Sequence, residues 1–394
     1  MSRQLIDRNP DLQRLQDDGY DAEVRAGYLL VKNVPYVNSR REIGFGTLVS
    51  ELTLAGDQTT RPSTHVVYFC GEYPCNKDGT PMDQIRHQSS RQQLGSGVEV
   101  HHSFSSKPPA GYNDYHEKMT TYVAVLSGPA ASIDPEVTAR IYRVIEADEQ
   151  ESVFKYVDTA SSRARIDAVT KRLDTSKVAI VGLGGSGSYI LDLLAKTPIK
   201  EIHLFDGDVF LQHNAFRSPG APSLDELRTR RKKVAHFEEL YSRMRNGVVA
   251  HENYVDASNV DEFAGMDFVF LCIDRGSARA LISAKLEEYK VPFIDVGMGV
   301  QQSDGGFLVG ILRVTTSTVK NRAHFKSRAS LADRDGNNEN EYDQNIQIAD
   351  LNALNAALAV IKWKKLCGFY LDLENEHHAT YTIDGNILSN EDLA

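Results

Sequence analysis

Cysteine, tryptophan and long apolar runs are scarce in this chain. Of its 394 residues, four are cysteine and one is tryptophan. So few thiols over that length exclude a disulfide scaffold and point to a reducing compartment, the cytoplasm. No apolar run approaches the roughly 20 residues that cross a bilayer, so no membrane partner is expected. The opening "MSRQLIDRNPDLQRLQDDGY" lacks the apolar core of a signal peptide. An excess of positive charge is also missing. The formal net charge is -10, which argues against a general nucleic-acid binder with its basic face. What is present, 41% hydrophobic and 25% charged residues, is ordinary for a globular chain long enough for two domains.

Residues 1–150 read as a strand-rich α+β module. Strands are expected in "GYLLVKNVPYV" (27–37), "FGTLVSELTLAG" (45–56), "THVVYFCGEYPC" (64–75), "GVEVHHSF" (97–104) and "MTTYVAVLSG" (119–128), with polar connections such as "CNKDGTPMDQIRHQSSRQQ" between them. Asp134 followed by Pro135 has the form of a helix start, and "EVTARIYRVIEADEQESVF" is expected to continue it.

Residues 151–394 change grammar. "KVAIVGLG" is a strand entering a glycine turn, "SGSYILDLLAKT" an amphipathic helix with Ile190, Leu191, Leu193 and Leu194 on one face, and "EIHLFDGD" a second strand. "DFVFLCID", "RGSARALISAKLEEYK" and "VPFIDVGMGV" repeat the alternation. This is the rhythm of an α/β domain with a Rossmann-like, mostly parallel sheet. "GGFLVGILRVTTST" (305–318) is expected to add antiparallel strands, and "NIQIADLNALNAALAVIKWKKLCGFY" a long helix covering the sheet. Residues 317–345 form a long polar connection, either functional or disordered.

The chemistry gathers past the glycine turn. "GLGGSG" holds Gly182, Gly184, Gly185 and Gly187, and a glycine turn opening a helix binds phosphate through backbone N–H groups and the helix dipole. Alone, this pattern reads most often as a dinucleotide site, with Asp206 as the acid for a ribose hydroxyl pair. But Asp208, Asn214, Arg217, Lys233 and Asp274 follow, all near strand or helix ends. A nicotinamide site has no use for that set. A nucleoside triphosphate with magnesium does. Asp208 has a second reading as a helix cap, and Lys232 reads as part of a solvated basic face.

In that order and spacing, GLGGSG, DGD, HNAFRS, KKV and CIDR resemble the ThiF/MoeB/HesA adenylating enzymes, which include the ubiquitin-activating enzymes. The resemblance covers roughly 160–394. It implies ATP- and Mg2+-dependent adenylation of the C-terminal carboxylate of a ubiquitin-like protein, handed on to a conjugating-enzyme-like acceptor by a homodimer. By motif position it gives Asp206 the ribose, Arg217 and Lys233 the phosphates, Asn214 their orientation, and Asp274 the magnesium. Arg279 also fits the pattern. A further arginine supplied by a dimer mate would be Arg163 or Arg165, in "SSRARIDAV". Other readings are an enzyme that adenylates a non-protein carboxylate, as in tRNA modification, a nucleotide-binding scaffold and, last, an NAD-dependent oxidoreductase.

Many such enzymes carry a thioester cysteine past the last strands, or a zinc-binding C-x-x-C pair. No cysteine lies between Cys272 and Cys367. Both are expected to be buried and inert, so no thioester on this chain is expected. Cys70 and Cys75 lack the tight C-x2-C spacing even with His65, His87, His101 and His102 nearby, so no zinc is expected.

Overall fold

The computed structural model describes residues 2–95, 97–147, 152–332 and 346–393, so the end of the polar connection, 333–345, lies outside the described residues. The chain divides into two compact units, Met1–Ile145 with Asp158–Arg165, and Glu146–Val157 with Ile166–Ala394.

The first unit opens with helices α1 (Ser2–Arg8) and α2 (Pro10–Asp17). Strands β1 (Asp21–Arg25), β2 (Tyr28–Val37), β3 (Ile43–Glu51), β4 (Val66–Cys70), β5 (Arg86–Gly95) and β6 (Val98–Ser105) form an antiparallel sheet in the order β1-β2-β3-β4-β6-β5. The strand expected at 119–128 is instead part of helix α3 (Tyr115–Ile133). Its β-branched Thr120, Thr121, Val123 and Val125 suggest a strand, but Tyr115, Met119, Tyr122, Leu126 and Ala130 recur every three or four residues and are buried. The carboxylate of Asp114 caps α3 by accepting from Glu117 N at 2.8 Å. Among the described residues 135–147 and 152–154, no helix follows Asp134, contrary to expectation. Asp134 ends α3 in an extended conformation, as the residue before a proline prefers. Strand β5 was not foreseen, because its mostly exposed polar residues show no apolar alternation.

In the second unit, β7 (Lys177–Val181), α5 (Gly185–Leu194), β8 (Glu201–Phe205), α6 (Lys233–Tyr241), β9 (Val248–His251), β10 (Phe268–Leu271), α7 (Gly276–Glu288) and β11 (Phe293–Gln302) make the expected α/β succession. Strand β12 (Leu308–Ser317) turns back antiparallel, as expected for that segment, and α8 (Ala349–Leu366) is the long helix. A closing hairpin, β13 (Glu376–Thr382) and β14 (Ile387–Leu393), completes an eight-stranded sheet in the order β9-β8-β7-β10-β11-β12-β13-β14. Its first five strands are parallel.

Strand β7 shows why this run is apolar throughout. Val178 and Ile180 pack with Ile190 and Leu194 of α5 and with Ala356 and Trp363 of α8. Ala179 and Val181 pack on the other face with Ile282 and Leu286 of α7. Both faces are covered, so neither can be polar. Chain order also reverses between β7 and β10, and the crevice beyond the strand ends at such a switch point is where these sheets take ligands.

The far end of α8 is tied down by charge. Lys362, nearly buried, meets Asp372 at 2.9 Å and Glu376 at 3.4 Å, and Lys365 meets Glu376 at 3.1 Å. Burial alone would raise the Asp372 carboxyl, but the hydrogen bond and charge of Lys362, helped by Lys365, outweigh it and hold Asp372 at about 2 against an ordinary 3.8. A depressed carboxyl stabilises the fold in full above its unfolded pKa of about 4 and loses that contribution as pH falls through about 2. Asp372→Asn is therefore expected to flatten the loss of stability across that acid window. Calorimetric Tm measured against pH checks it, and a slope equal to the parent's would remove Asp372 from the account.

Candidate functional site

Each glycine of the turn between β7 and α5 has a different reason to be glycine. Gly182 has φ +89°, and a Cβ there would stand 2.6 Å from the carbonyl oxygen of Cys272. A Cβ on Gly187 would strike the Gly182 carbonyl, and one on Gly185 would enter the amide of Asn352 on α8. Around Gly184, the N-cap of α5, a Cβ would meet no atom within 4 Å. That is the open side. Gly185, Ser186 and Gly187 are the first residues of a ten-residue helix, so their N–H groups lack intrahelical acceptors and the positive end of the dipole faces the turn.

The acid at the end of β8 is built into this turn. Asp206 Oδ2 accepts from Leu183 N at 2.7 Å, and Oδ1 accepts from Asp208 N at 2.8 Å. Lys233, the first residue of α6 and nearly buried, reaches Asp208 Oδ2 at 2.6 Å and Asp206 Oδ2 at 3.4 Å. The reading of Asp208 as a helix cap is therefore wrong: its carboxylate serves Lys233 Nζ and the Tyr254 hydroxyl, not helix N–H groups. Burial pushes the Asp208 carboxyl up, but the hydrogen bonds from Lys233 and Tyr254 outweigh it and leave it below the usual range. The same bond, donated to a carboxylate, pushes the Tyr254 hydroxyl up to about 12. The guanidinium of Arg275 lies over the Tyr254 ring at 5.4 Å. Asp206 is buried, whereas the Asp208 side chain is 46% exposed, so of the two acids Asp208 is the one open to approach.

Asn214 is buried in a short helix, Gln212–Ala215, where its Oδ1 accepts from Leu211 N at 2.8 Å. Its carbonyl accepts from Arg217 N at 3.1 Å and from Ser218 Oγ at 2.7 Å, so it folds the segment that carries Arg217. Burial lowers the pKa of His213, and the charges of Arg217 and Lys233 lower it further. These two cations thus bear on one imidazole. Lys232 is not a merely solvated residue: it is half-buried, and its ammonium donates to the Gly207 carbonyl.

Asp274 is exposed just beyond β10, two residues after the Cys272 carbonyl that packs on Gly182. Through Arg275 and Tyr254 the end of β10 is joined to Asp208 at the end of β8. Arg279 is buried and works inside the protein. It donates to Asp295 Oδ1 at 2.8 Å, to the Ser330 carbonyl at 2.7 Å and to the Ile273 carbonyl, bracing the loop that holds Asp274. Asp295 also takes Arg313.

Arg163 and Arg165 belong to the first unit. Both are exposed, and Arg165 caps helix α4 (Thr159–Ala164) with φ +57°. Burial pushes every thiol up, Cys272 strongly and Cys367 to about 11. The histidines near Cys70 have other partners, His101 with Glu99, His102 with Ser89 and His87 with Ser103. Among the described residues no three His, Cys, Asp or Glu side chains gather as metal ligands. Tyr254, Arg275, Ser186 and Asn352 were not singled out from the sequence. Two of them had a signal, Arg275 from its place beside Asp274 in "CIDR" and Ser186 from its place within "GLGGSG".

A model described as "ThiF family" matches residues 158–379, and one described as "Domain of unknown function (DUF6791)" matches 10–159. Among curated proteins, the chain is 23% identical over 146 residues to ubiquitin-like modifier-activating enzyme 5 of Culex quinquefasciatus, covering 34% of this chain and 37% of that one. It is 27% identical over 139 residues to the tRNA threonylcarbamoyladenosine dehydratase of Haemophilus influenzae, covering 34% and 51%. The chain spans about half or less of the length of these relatives. Of solved structures, it is similar to E. coli MccB with MccA-N7isoASN at 18% identity and TM-score 0.46, covering 57% of this chain and 67% of that one. PaaA matches at 19% identity and TM-score 0.44, covering 59% and 79%.

Proposed function

Because the chain belongs to the ThiF family, we propose that its second unit activates a carboxylate by taking AMP from ATP. A carboxylate oxygen attacks the α-phosphorus, the bond to the bridging oxygen breaks, and pyrophosphate leaves with that electron pair. The product is an acyl-adenylate. The observation that carries this reading is the group formed by Asp206, Asp208 and Lys233 at the end of β8, bonded directly to the glycine turn.

The chemistry needs no general base, since a terminal carboxyl with a pKa near about 3.5 is ionised at neutral pH. The barrier is repulsion between anions and charge growing on the phosphates, so positioning and electrostatics carry the catalysis. The first turn of α5 cradles phosphate. Asp206 and the more open Asp208 face the ribose, and Lys233 and Arg217 take phosphate charge, with Asn214 holding Arg217's segment. Magnesium suits Asp274, because a hard ion that keeps most of its waters asks for one or two carboxylates besides phosphate oxygens. When bound there it would neutralise charge on the phosphates.

The carboxylate in this reading is the C-terminal tail of a ubiquitin-like protein, which is supported by the name of the activating-enzyme relatives. The tRNA-modifying relative supports a second reading, with a non-protein carboxylate. The raised thiols favour transfer of the adenylate to a partner without a thioester on this chain. Apart from Arg163 and Arg165, the strand-rich first unit holds none of the proposed nucleotide residues, and it is the candidate dock for that conjugating-enzyme-like partner. Arg165, or Arg163, is the candidate to reach phosphate from the mate in a homodimer.

ATP–pyrophosphate exchange with proteins ending in glycine tests the reading. Exchange dependent on one such protein and on magnesium, with no reducible enzyme adduct, is the expected result. Tight NAD binding without ATP binding would overturn the reading of the site, and a reducible adduct would overturn the absence of a thioester.

A further inference from the structure

Asn352 lies in the first turns of α8, 167 positions along the chain from Gly185, yet its amide rests on the first residues of α5. It is 1% exposed. Its Oδ1 accepts from the Ser186 hydroxyl at 3.0 Å, and its Nδ2 is buried with no hydrogen-bond partner. The space a side chain at position 185 would fill is filled by this amide. A helix core normally excludes a polar group in that condition, since a buried donor with no acceptor is destabilising. An apolar residue of the same size would pack there without that penalty.

We infer that Asn352 is a positioning residue for the phosphate turn, holding the first turn of α5 so that the N–H groups of Gly185, Ser186 and Gly187 converge on phosphate. The inference rests on the nucleotide reading above. Three features of the site support it. The amide fills the inward side of Gly185, while around Gly184 a Cβ would meet no atom within 4 Å, so the packing lies on one side of the turn and the opening on the other. The bond to Oδ1 fixes the Ser186 hydroxyl at the second helical position, where it would otherwise compete for the turn's own N–H groups. The unpartnered donor adds partial positive charge beside the N-terminus of α5, where the helix dipole is already positive, a charge that a bound anion would relieve. Asn355, three residues on along the same helix, binds the Gly297 carbonyl at 3.1 Å and so anchors this face of α8 to β11.

The test separates positioning from packing. Asn352→Leu keeps the number and branching of the side chain's heavy atoms and removes the unpartnered donor, so Tm without nucleotide should hold or rise. Its Kd and KM for ATP should rise about tenfold, the scale of one hydrogen bond in a charged setting, with kcat nearly unchanged. Ser186→Ala should give a smaller effect of the same kind, about threefold, because only the hydroxyl is lost. Asn352→Asp keeps the acceptor for Ser186 but sets a negative charge beside the phosphates, and should weaken ATP binding more than the leucine variant does. Calorimetric titration of the parent with ATP comes first. If the parent binds no ATP, the reading of the site fails. If the parent binds ATP and Asn352→Leu binds it as tightly, the reading of the site stands and this inference falls. A fall in Tm with an unchanged Kd would make Asn352 a structural amide only, as would a buried water shared with the Asn355 Oδ1, and would overturn the inference as well.

Discussion

Lys233→Ala should lose pyrophosphate exchange by at least about 100-fold, the scale seen when one preorganised charge partner of a transition state is removed. The same change should cost stability. Lys233 is buried between Asp206 at 3.4 Å and Asp208 at 2.6 Å, and its loss leaves a buried carboxylate without its cation. Breaking a buried pair from one side costs about 3–5 kcal/mol; the half-exposed Asp208 can return to water, which places the expected cost near the low end. Lys233→Arg separates the two effects. It restores the charge and much of the stability, but a planar fork cannot occupy the position of a single ammonium, so exchange should stay low. Exchange within fivefold of the parent in a folded Lys233→Ala protein would take this lysine out of the chemistry.

Asp274→Ala should abolish exchange to a similar or greater extent, by about 100- to 1,000-fold, while leaving Tm nearly unchanged. Asp274 is exposed beyond the end of β10, and a surface substitution of this kind costs within about 0.5 kcal/mol. The contrast with Lys233→Ala is the informative part, because the two variants lose activity alike and stability unlike. Raising magnesium should recover part of the activity if Asp274 helps to hold that ion. Undiminished exchange at low magnesium would remove Asp274 from the mechanism.

The second unit was legible because its strands are covered on both faces and its ligand residues sit at strand ends. A run such as "KVAIV" can only be buried, and Gly182, Asp206 and Asp274 then fall on one edge of the sheet. Within the first unit the same logic failed at 119–128, where valines and threonines favoured a strand while the tyrosine and methionine spacing made a helix. The closing hairpin was missed although Asp384 and Gly385 stand where a tight turn needs them. In the site, the tyrosine on Asp208 and the asparagine on Gly185 were illegible. Tyr254 and Asn352 come from segments distant in sequence, and no spacing rule connects a tyrosine after β9, or an asparagine on α8, to the glycine turn.

The glycine turn has contacts on three sides, against Cys272 after β10, against Asn352 on α8 and against its own Gly182 carbonyl. Any opening that undocks α8 or separates β10 from β7 therefore dismantles the turn as well. A ligand held there stabilises only states in which it can remain bound, by about 2.7 kcal/mol at a hundredfold excess over its Kd. Amide protons along α8 and β10 that exchange through such openings would slow about 100-fold on ligand binding, although many of them lie far from the ligand. Those of the edge strand β14, which can fray without disturbing the turn, would keep their own rate. Ligand binding would thus divide the second unit into a cooperative block that reports occupancy and a margin that does not.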